Sequence, residues 1–324
     1  MKKKNQIQIV IILIVIMTLI LGGCASKEKK ADTSEKAVET NATKTTIKIA
    51  YLPLTHALPL FEEVELLKAS SDSAINIELV KFSSWPELLD ALNSGRVDGA
   101  SVLIELAMKA KAQGIGLKTV ALGHRDGNAI IVSNDINNVS DLKGKSFAIP
   151  HRQSSHNILL NDMLAANGLT INDIKVVELA PAEMPAALSG GQIAGYCVAE
   201  PFGAKAVSLG IGKVLYQAND LWQNSLCCGL VLTDDFINKN KAAADSFVNK
   251  YLEAGNLLTD EKEKEIAKEY LGQEDTVLDL SLEWISYKNL VITEDDYNVL
   301  VEKMKTYKIA DTLPTYTEFV YQPK

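Results

Sequence analysis

Four histidines and four cysteines are spread over 324 residues, and the chemistry open to the chain depends on which of them meet. Ser154-Ser155-His156 stands at the start of a predicted helix that runs to Ala166. A helix N-terminus presents free N–H groups and a partial positive charge, so His156 suits an oxyanion, as imidazolium or as a neutral donor. The same residue would equally serve as a cap or a solvated group. Ser154 and Ser155 can donate from that turn or simply cap it. Trp85 lies at a second predicted helix start, in Ser84-Trp85-Pro86-Glu87, where it either faces a cleft or packs in a core. Glu200 precedes Pro201 just past a predicted strand. It can accept a hydrogen bond from a ligand, hold a cation or form a salt bridge at a hinge. Ser101, after Gly99, is placed on the matching loop of the first half of the chain. His124-Arg125-Asp126-Gly127 is a polar turn near the junction of the halves, where Arg125 pairs with an anion or lies at the surface. His56, after Pro53, is a further polar group in the first strand–helix loop.

The cysteines divide. Leu21-Gly22-Gly23-Cys24 follows three N-terminal lysines and the apolar run Ile9 to Leu21. A positive start and an apolar stretch too short to span a bilayer form a secretory signal. The small residues before Cys24 resemble a bacterial lipobox, in which the thiol is acylated and becomes the mature N-terminus. Residues 1–23 are therefore read as a lipoprotein signal and 24–45 as a flexible tether, since that stretch is rich in Lys, Glu, Ser and Thr with one Val and no aromatic residue. Cys197, Cys227 and Cys228 make neither a disulfide framework nor a CxxC metal site. Cys197 can bridge to one of the adjacent pair outside the cell, or all three are small buried residues in apolar strands. No metal and no cofactor is read from these spacings.

Other functions are excluded on composition and motif. The net charge is −8, and removal of the three signal lysines takes it to −11, which argues against nucleic acid as a partner. The chain carries no G-x-S-x-G, P-loop, G-x-G-x-x-G or H-E-x-x-H, so no catalytic set is assigned and the protein is read as a binder rather than an enzyme.

The elements that must position these residues alternate. Thr46 to Leu52, Ile75 to Phe82, Gly99 to Leu103, Lys118 to Leu122 and Ala129 to Val132 read as strands, with helices between the earlier ones. Ser84 and Glu87 read as a capping box. The pattern restarts near Asn134, and from Asp235 onward it is mostly helical. Trp85 to Gly99 can be laid on Pro181 to Gly195 at a constant offset, with Gly95 on Gly191 and Gly99 on Gly195. One helix, a glycine stop and a short buried strand thus occur once in each half. The predicted class is α/β with mixed, mainly parallel sheets in two lobes. Lobe 1 is taken as 46–132 plus 233–324 and lobe 2 as 133–232. Ligands of such sheets bind at the carboxyl ends of the strands, and the lobes would close about a hinge.

Asp141-Leu-Lys-Gly-Lys, Leu92 to Ala100 and Pro181 to Phe202 resemble the nitrate/sulfonate/taurine group of ABC-transporter solute-binding proteins. Gln153 to His156, Tyr196 to Phe202 and Asp220-Leu-Trp222 are similar to the nitrate- and bicarbonate-binding branch. The resemblance implies a type II periplasmic-binding-protein-like clamshell. It implies ligand contacts at Trp85, at Asn128 in place of a glutamine, at His156 and at Glu200. Phe202 stands where the branch has tryptophan. With Asn128 it leaves room for a ligand larger than nitrate or bicarbonate. The expected protein is a monomeric, lipid-anchored receptor on the outer face of the cell membrane, or in the periplasm, that delivers a small solute to an ABC permease. An enzyme or binder for a pyrimidine or thiamine precursor on the same fold, and an interaction lipoprotein without a small ligand, are the alternatives.

Overall fold

A computed structural model describes residues 44–70 and 74–323. The signal, the tether up to residue 43 and the lipidation site at Cys24 lie outside the described residues. No helix among the described residues is long and apolar enough to cross a membrane.

The strands fall into two five-stranded sheets. The first contains β1 (Thr45–Tyr51), β2 (Ile75–Lys81), β3 (Gly99–Leu103), β4 (Leu117–Leu122) and, from far along the chain, β11 (Cys228–Thr233), in the order β2-β1-β3-β11-β4. β1 shows how the sequence sets a face. Ile47 and Ile49 are fully buried, while Thr46 and Lys48, which alternate with them, are exposed. β2, β1 and β3 run parallel, and β11 is inserted antiparallel between β3 and β4. The second sheet contains β6 (Asn128–Val132), β7 (Ser146–Ile149), β8 (Lys175–Glu178), β9 (Gly195–Ala199) and β10 (Lys213–Gln217), in the order β10-β6-β9-β7-β8. Here β6 is the antiparallel strand, lying between β10 and β9. A two-stranded pair, β5 (Arg125–Asp126) with β12 (Ile285–Ser286), completes the strands.

Two strands lie on the opposite sheet from the expected partition. β6 was expected with lobe 1 but pairs with β9, and β11 was expected with lobe 2 but pairs with β3 and β4. The reason is that each sheet takes its one antiparallel strand from the segment that crosses between sheets. A partition drawn along the sequence splits the chain after the crossing strand rather than before it.

The echo at Gly99 and Gly195 has a packing cause in these crossing strands. A Cβ on Gly195 would sit 2.7 Å from the Ile131 carbonyl of β6, and one on Gly99 would collide with the Val231 carbonyl of β11. Each half therefore needs a glycine where its parallel strand slides under the antiparallel one. Gly95 and Gly191, with φ of +70° and +68°, stop the preceding helices.

The helix Leu58–Ala69 buries Leu58, Leu60 and Phe61 completely, each worth about 1.5–3 kcal/mol. The helix Lys241–Leu257 packs against it, and the rest of the C-terminal portion is mostly helical, as expected, apart from β12. One local expectation is corrected: Ser84 has the extended conformation of a cap, but its hydroxyl makes no cap bond to Glu87. Pro86 occupies the first turn and removes one donor that would have needed it.

Candidate functional site

β1, β2, β3 and β4 all end at one edge of the first sheet, the edge where antiparallel β11 begins. His56 therefore follows β1, Trp85 follows β2, Glu105 follows β3, His124 follows β4, and Cys227 and Cys228 lead into β11. The second sheet repeats the arrangement. Asn128 begins β6, Ser154 to His156 follow β7, and Glu200 follows β9, all at the corresponding edge.

The two edges touch. The Thr55 amide and hydroxyl both donate to the Glu200 carbonyl at 3.1 Å. His56 Nε2 lies 2.8 Å from the Gly127 carbonyl, and Cys227 Sγ lies 3.6 Å from Asn128 Oδ1. Lys109 Nζ donates to Gln153 Oε1 at 2.7 Å. His56, Glu105, His124, Asn128, Ser155, His156, Cys227 and Cys228 are all buried between them.

Many of their polar atoms have no hydrogen-bond partner within the protein. They are both ring nitrogens of His124 and of His156, both Glu105 oxygens, Asn128 Nδ2, Ser155 Oγ and, at the end of β2, Trp85 Nε1. A buried polar group without a partner costs about 1–3 kcal/mol, and native interiors leave few of them. Their concentration along this seam singles it out as the candidate site.

Electrostatics set the protonation of the seam. Burial, reinforced by the nearby His56 ring, lowers the pKa of His124 to about 4. Burial likewise brings His156 to about 4. Both imidazoles are therefore neutral at pH 7, so His156 can act only as a neutral donor or acceptor. Burial, and then the Cys227 sulfur, push the Glu105 carboxyl well above the usual carboxylate range. Burial also pushes the Cys227 thiol up, but the Cys228 thiol and the surrounding imidazoles outweigh it, so its pKa falls well below the usual thiol value.

The residues expected from sequence separate in this geometry. Asn128, Ser155 and His156 meet at the seam with unpartnered atoms. Ser154 is the helix cap by conformation, but its hydroxyl donates to the His151 carbonyl at 2.6 Å. Ser101 is not on a loop: it sits mid-strand in β3, opposite Leu230 of β11. Glu200 lies at the right edge, yet its Oε2 accepts from the Ala204 amide at 3.0 Å, which turns the carboxylate toward the helix Phe202–Ser208. Burial raises its pKa to about 8, against the pull of that amide. Arg125 is not available to an anion, because it is paired with Asp296 at 2.9 Å and donates to the Asn289 carbonyl at 3.0 Å.

Sequence reasoning missed the largest cluster. It read no metal site from the histidines and cysteines, whereas one donor atom each from His56, His124, Cys227 and Cys228 lies within 4.8 Å of the others. Cys197, Cys227 and Cys228 are free thiols, so no bridge from Cys197 forms. Glu105 was also passed over, although a lone carboxylate in Ala100 to Ala107 was a visible signal.

Comparison with known proteins agrees with this architecture. The ligand-binding component of an ABC-type import system from Staphylococcus aureus, solved with zinc bound, is 40% identical with a TM-score of 0.81, over 86% of this chain and 97% of that one. A protein of Escherichia coli (strain K12) assigned to aliphatic sulfonate binding is 28% identical over 78% of this chain and 77% of its own length. The nitrate import ATP-binding protein NrtC of Synechocystis sp. is 28% identical over 71% of this chain, but the match spans 37% of that protein. The bicarbonate transport ATP-binding proteins CmpC are matched over 30% and 35% of their lengths. The model of the NMT1-like family matches residues 40–272, and with the periplasmic-binding-protein fold of its neighbours the chain belongs to that family.

Proposed function

We propose that the protein is the extracytoplasmic solute receptor of an ABC importer, tethered to the membrane through lipidated Cys24, and that its solute binds in the seam between the two sheets. The observation that carries this reading is the set of unpartnered buried atoms contributed by both edges: Glu105 and His124 from the first, Asn128, Ser155 and His156 from the second. A solute between them would satisfy these groups from both sides, so binding favours the closed arrangement of two lobes. The lobes follow the sheets, 44–122 with 228–323 and 128–217, and the crossing segments between them serve as the hinge. The closed form would then dock on a permease.

The relatives bracket the solute class: nitrate import, aliphatic sulfonate binding and a zinc-bound receptor. The Lys109 ammonium at the seam is held by Gln153, and the unpartnered groups that would meet an oxyanion are neutral donors: the His156 ring, the Asn128 amide and the Ser155 hydroxyl. The test is a thermal-shift panel of nitrate, bicarbonate, aliphatic sulfonates, pyrimidines and divalent metals on the purified chain. A receptor gains stability from one class by mass action. No response to any class, or chemical turnover of the responding compound, would refute the reading.

A further inference from the structure

The first-sheet side of the seam has a chemistry of its own. His56 Nδ1 lies 3.4 Å from Cys228 Sγ and 3.8 Å from Cys227 Sγ, and the two sulfurs are 3.9 Å apart. With tetrahedral zinc at about 2.3 Å from sulfur and about 2.0–2.1 Å from nitrogen, ligand atoms stand about 3.8 Å (S to S) and about 3.5 Å (N to S) apart. The three donors already hold that spacing. The sulfurs are far beyond the roughly 2.05 Å of a disulfide.

His56 is also oriented for the task. Its Nε2 faces the Gly127 carbonyl at 2.8 Å, and a carbonyl can only accept. Nε2 therefore carries the hydrogen, and the Nδ1 lone pair points at the two sulfurs. A backbone carbonyl that fixes the far nitrogen of a histidine is a recurring second layer of metal sites. The His124 ring lies against His56 with centroids 3.5 Å apart, and neither of its nitrogens has a hydrogen-bond partner. A metal ion accepts the lone pairs that no proton donor here meets.

Charge and softness narrow the ion. Two thiolates and two neutral imidazoles bind a divalent ion with no net charge, which suits a fully buried position. Calcium and magnesium demand hard oxygen ligands, whereas this donor set selects zinc-like ions. We propose that the solute of this receptor is a zinc-class metal ion, held tetrahedrally by His56, His124, Cys227 and Cys228 and covered by Asn128, Ser155 and His156. This rests on the reading of the seam as a solute site.

The test uses the full chain in detergent with Cys24→Ser, so that the tether thiol cannot contribute. The chain is stripped with a chelator and titrated with Zn²⁺ or Co²⁺. One equivalent is expected to bind, and Co²⁺ should show sulfur-to-metal charge-transfer absorption together with intense tetrahedral bands. Loss of an outer-layer partner weakens metal sites about 10–100-fold, so Cys227→Ser, Cys228→Ser and His124→Ala should each cost at least about 100-fold. Uptake that persists in the Cys227→Ser/Cys228→Ser variant would overturn the proposal. So would Co²⁺ without a thiolate band in the parent chain, a readout that stands even where a variant fails to fold. Stripping should leave the chain folded; if it unfolds, the metal belongs to the fold and is not cargo. If a panel solute stabilises the stripped chain and zinc does not, the metal assignment falls and the receptor reading stands. If neither does, both fall.

Discussion

Glu200→Gln in the solute-free chain tests how the seam handles charge. Glu200 is fully buried, one oxygen accepts from Ala204, and the other has no partner. Its pKa is raised by burial from 4.5 to about 8. An acid whose pKa is raised by folding stabilises the fold fully below pH 4.5, and that contribution drains away as pH climbs to 8. Each unit of that difference is worth about 1.4 kcal/mol. Glutamine keeps the neutral shape at every pH. At pH 5 the variant should match wild type to within about 1 kcal/mol, and at pH 8 it should be more stable by about 4 kcal/mol. At roughly 2–4 °C per kcal/mol, the second difference is roughly 8–16 °C in Tm. Urea unfolding followed by tryptophan fluorescence at pH 5, 6.5 and 8 measures it. An offset between variant and wild type that is the same at pH 5 and pH 8 would refute the argument, because it would mean that Glu200 ionises freely in the fold.

Two further substitutions separate architecture from site. Gly195→Ala places a methyl 2.7 Å from the Ile131 carbonyl and 2.9 Å from the Phe147 ring, and it should cost about 1–3 kcal/mol in urea unfolding. A loss under 1 kcal/mol would show that β9 and β6 are not held so closely. Arg125→Ala breaks a largely buried pair with Asp296 and should cost about 1–3 kcal/mol. It should leave solute affinity unchanged, and a large loss of affinity in calorimetry would return Arg125 to the site.

Much of this was legible in the chain. The alternation of Thr46 to Ala50 and the repeated helix–glycine–strand unit expose the strands and the two halves, because period and glycine placement are local signals. The placement of His156 at a helix start followed from the local pattern, and that of Asn128 from the resemblance to solute-binding proteins. What the chain could not show was sheet order. His56, His124 and Cys227 are separated by 68 and 103 residues, and they meet only because β11 returns to lie between β3 and β4. Adjacent cysteines carry no ligand spacing of their own, so the pair passed as core residues. Glu200 stands past a strand end, as read; one of its oxygens accepts from Ala204 in the helix that begins at Phe202, and the other has no partner.

The central claim is that the seam binds a solute through groups from both sheets. Isothermal titration of the responding panel compound into wild type, and into the Ser155→Ala/His156→Ala variant, tests it most directly. The account predicts one solute per chain for wild type and a loss of affinity of at least about tenfold in the variant, since each lost partner is worth about 1 kcal/mol or more. Equal affinity in the two, with both chains folded, would contradict it.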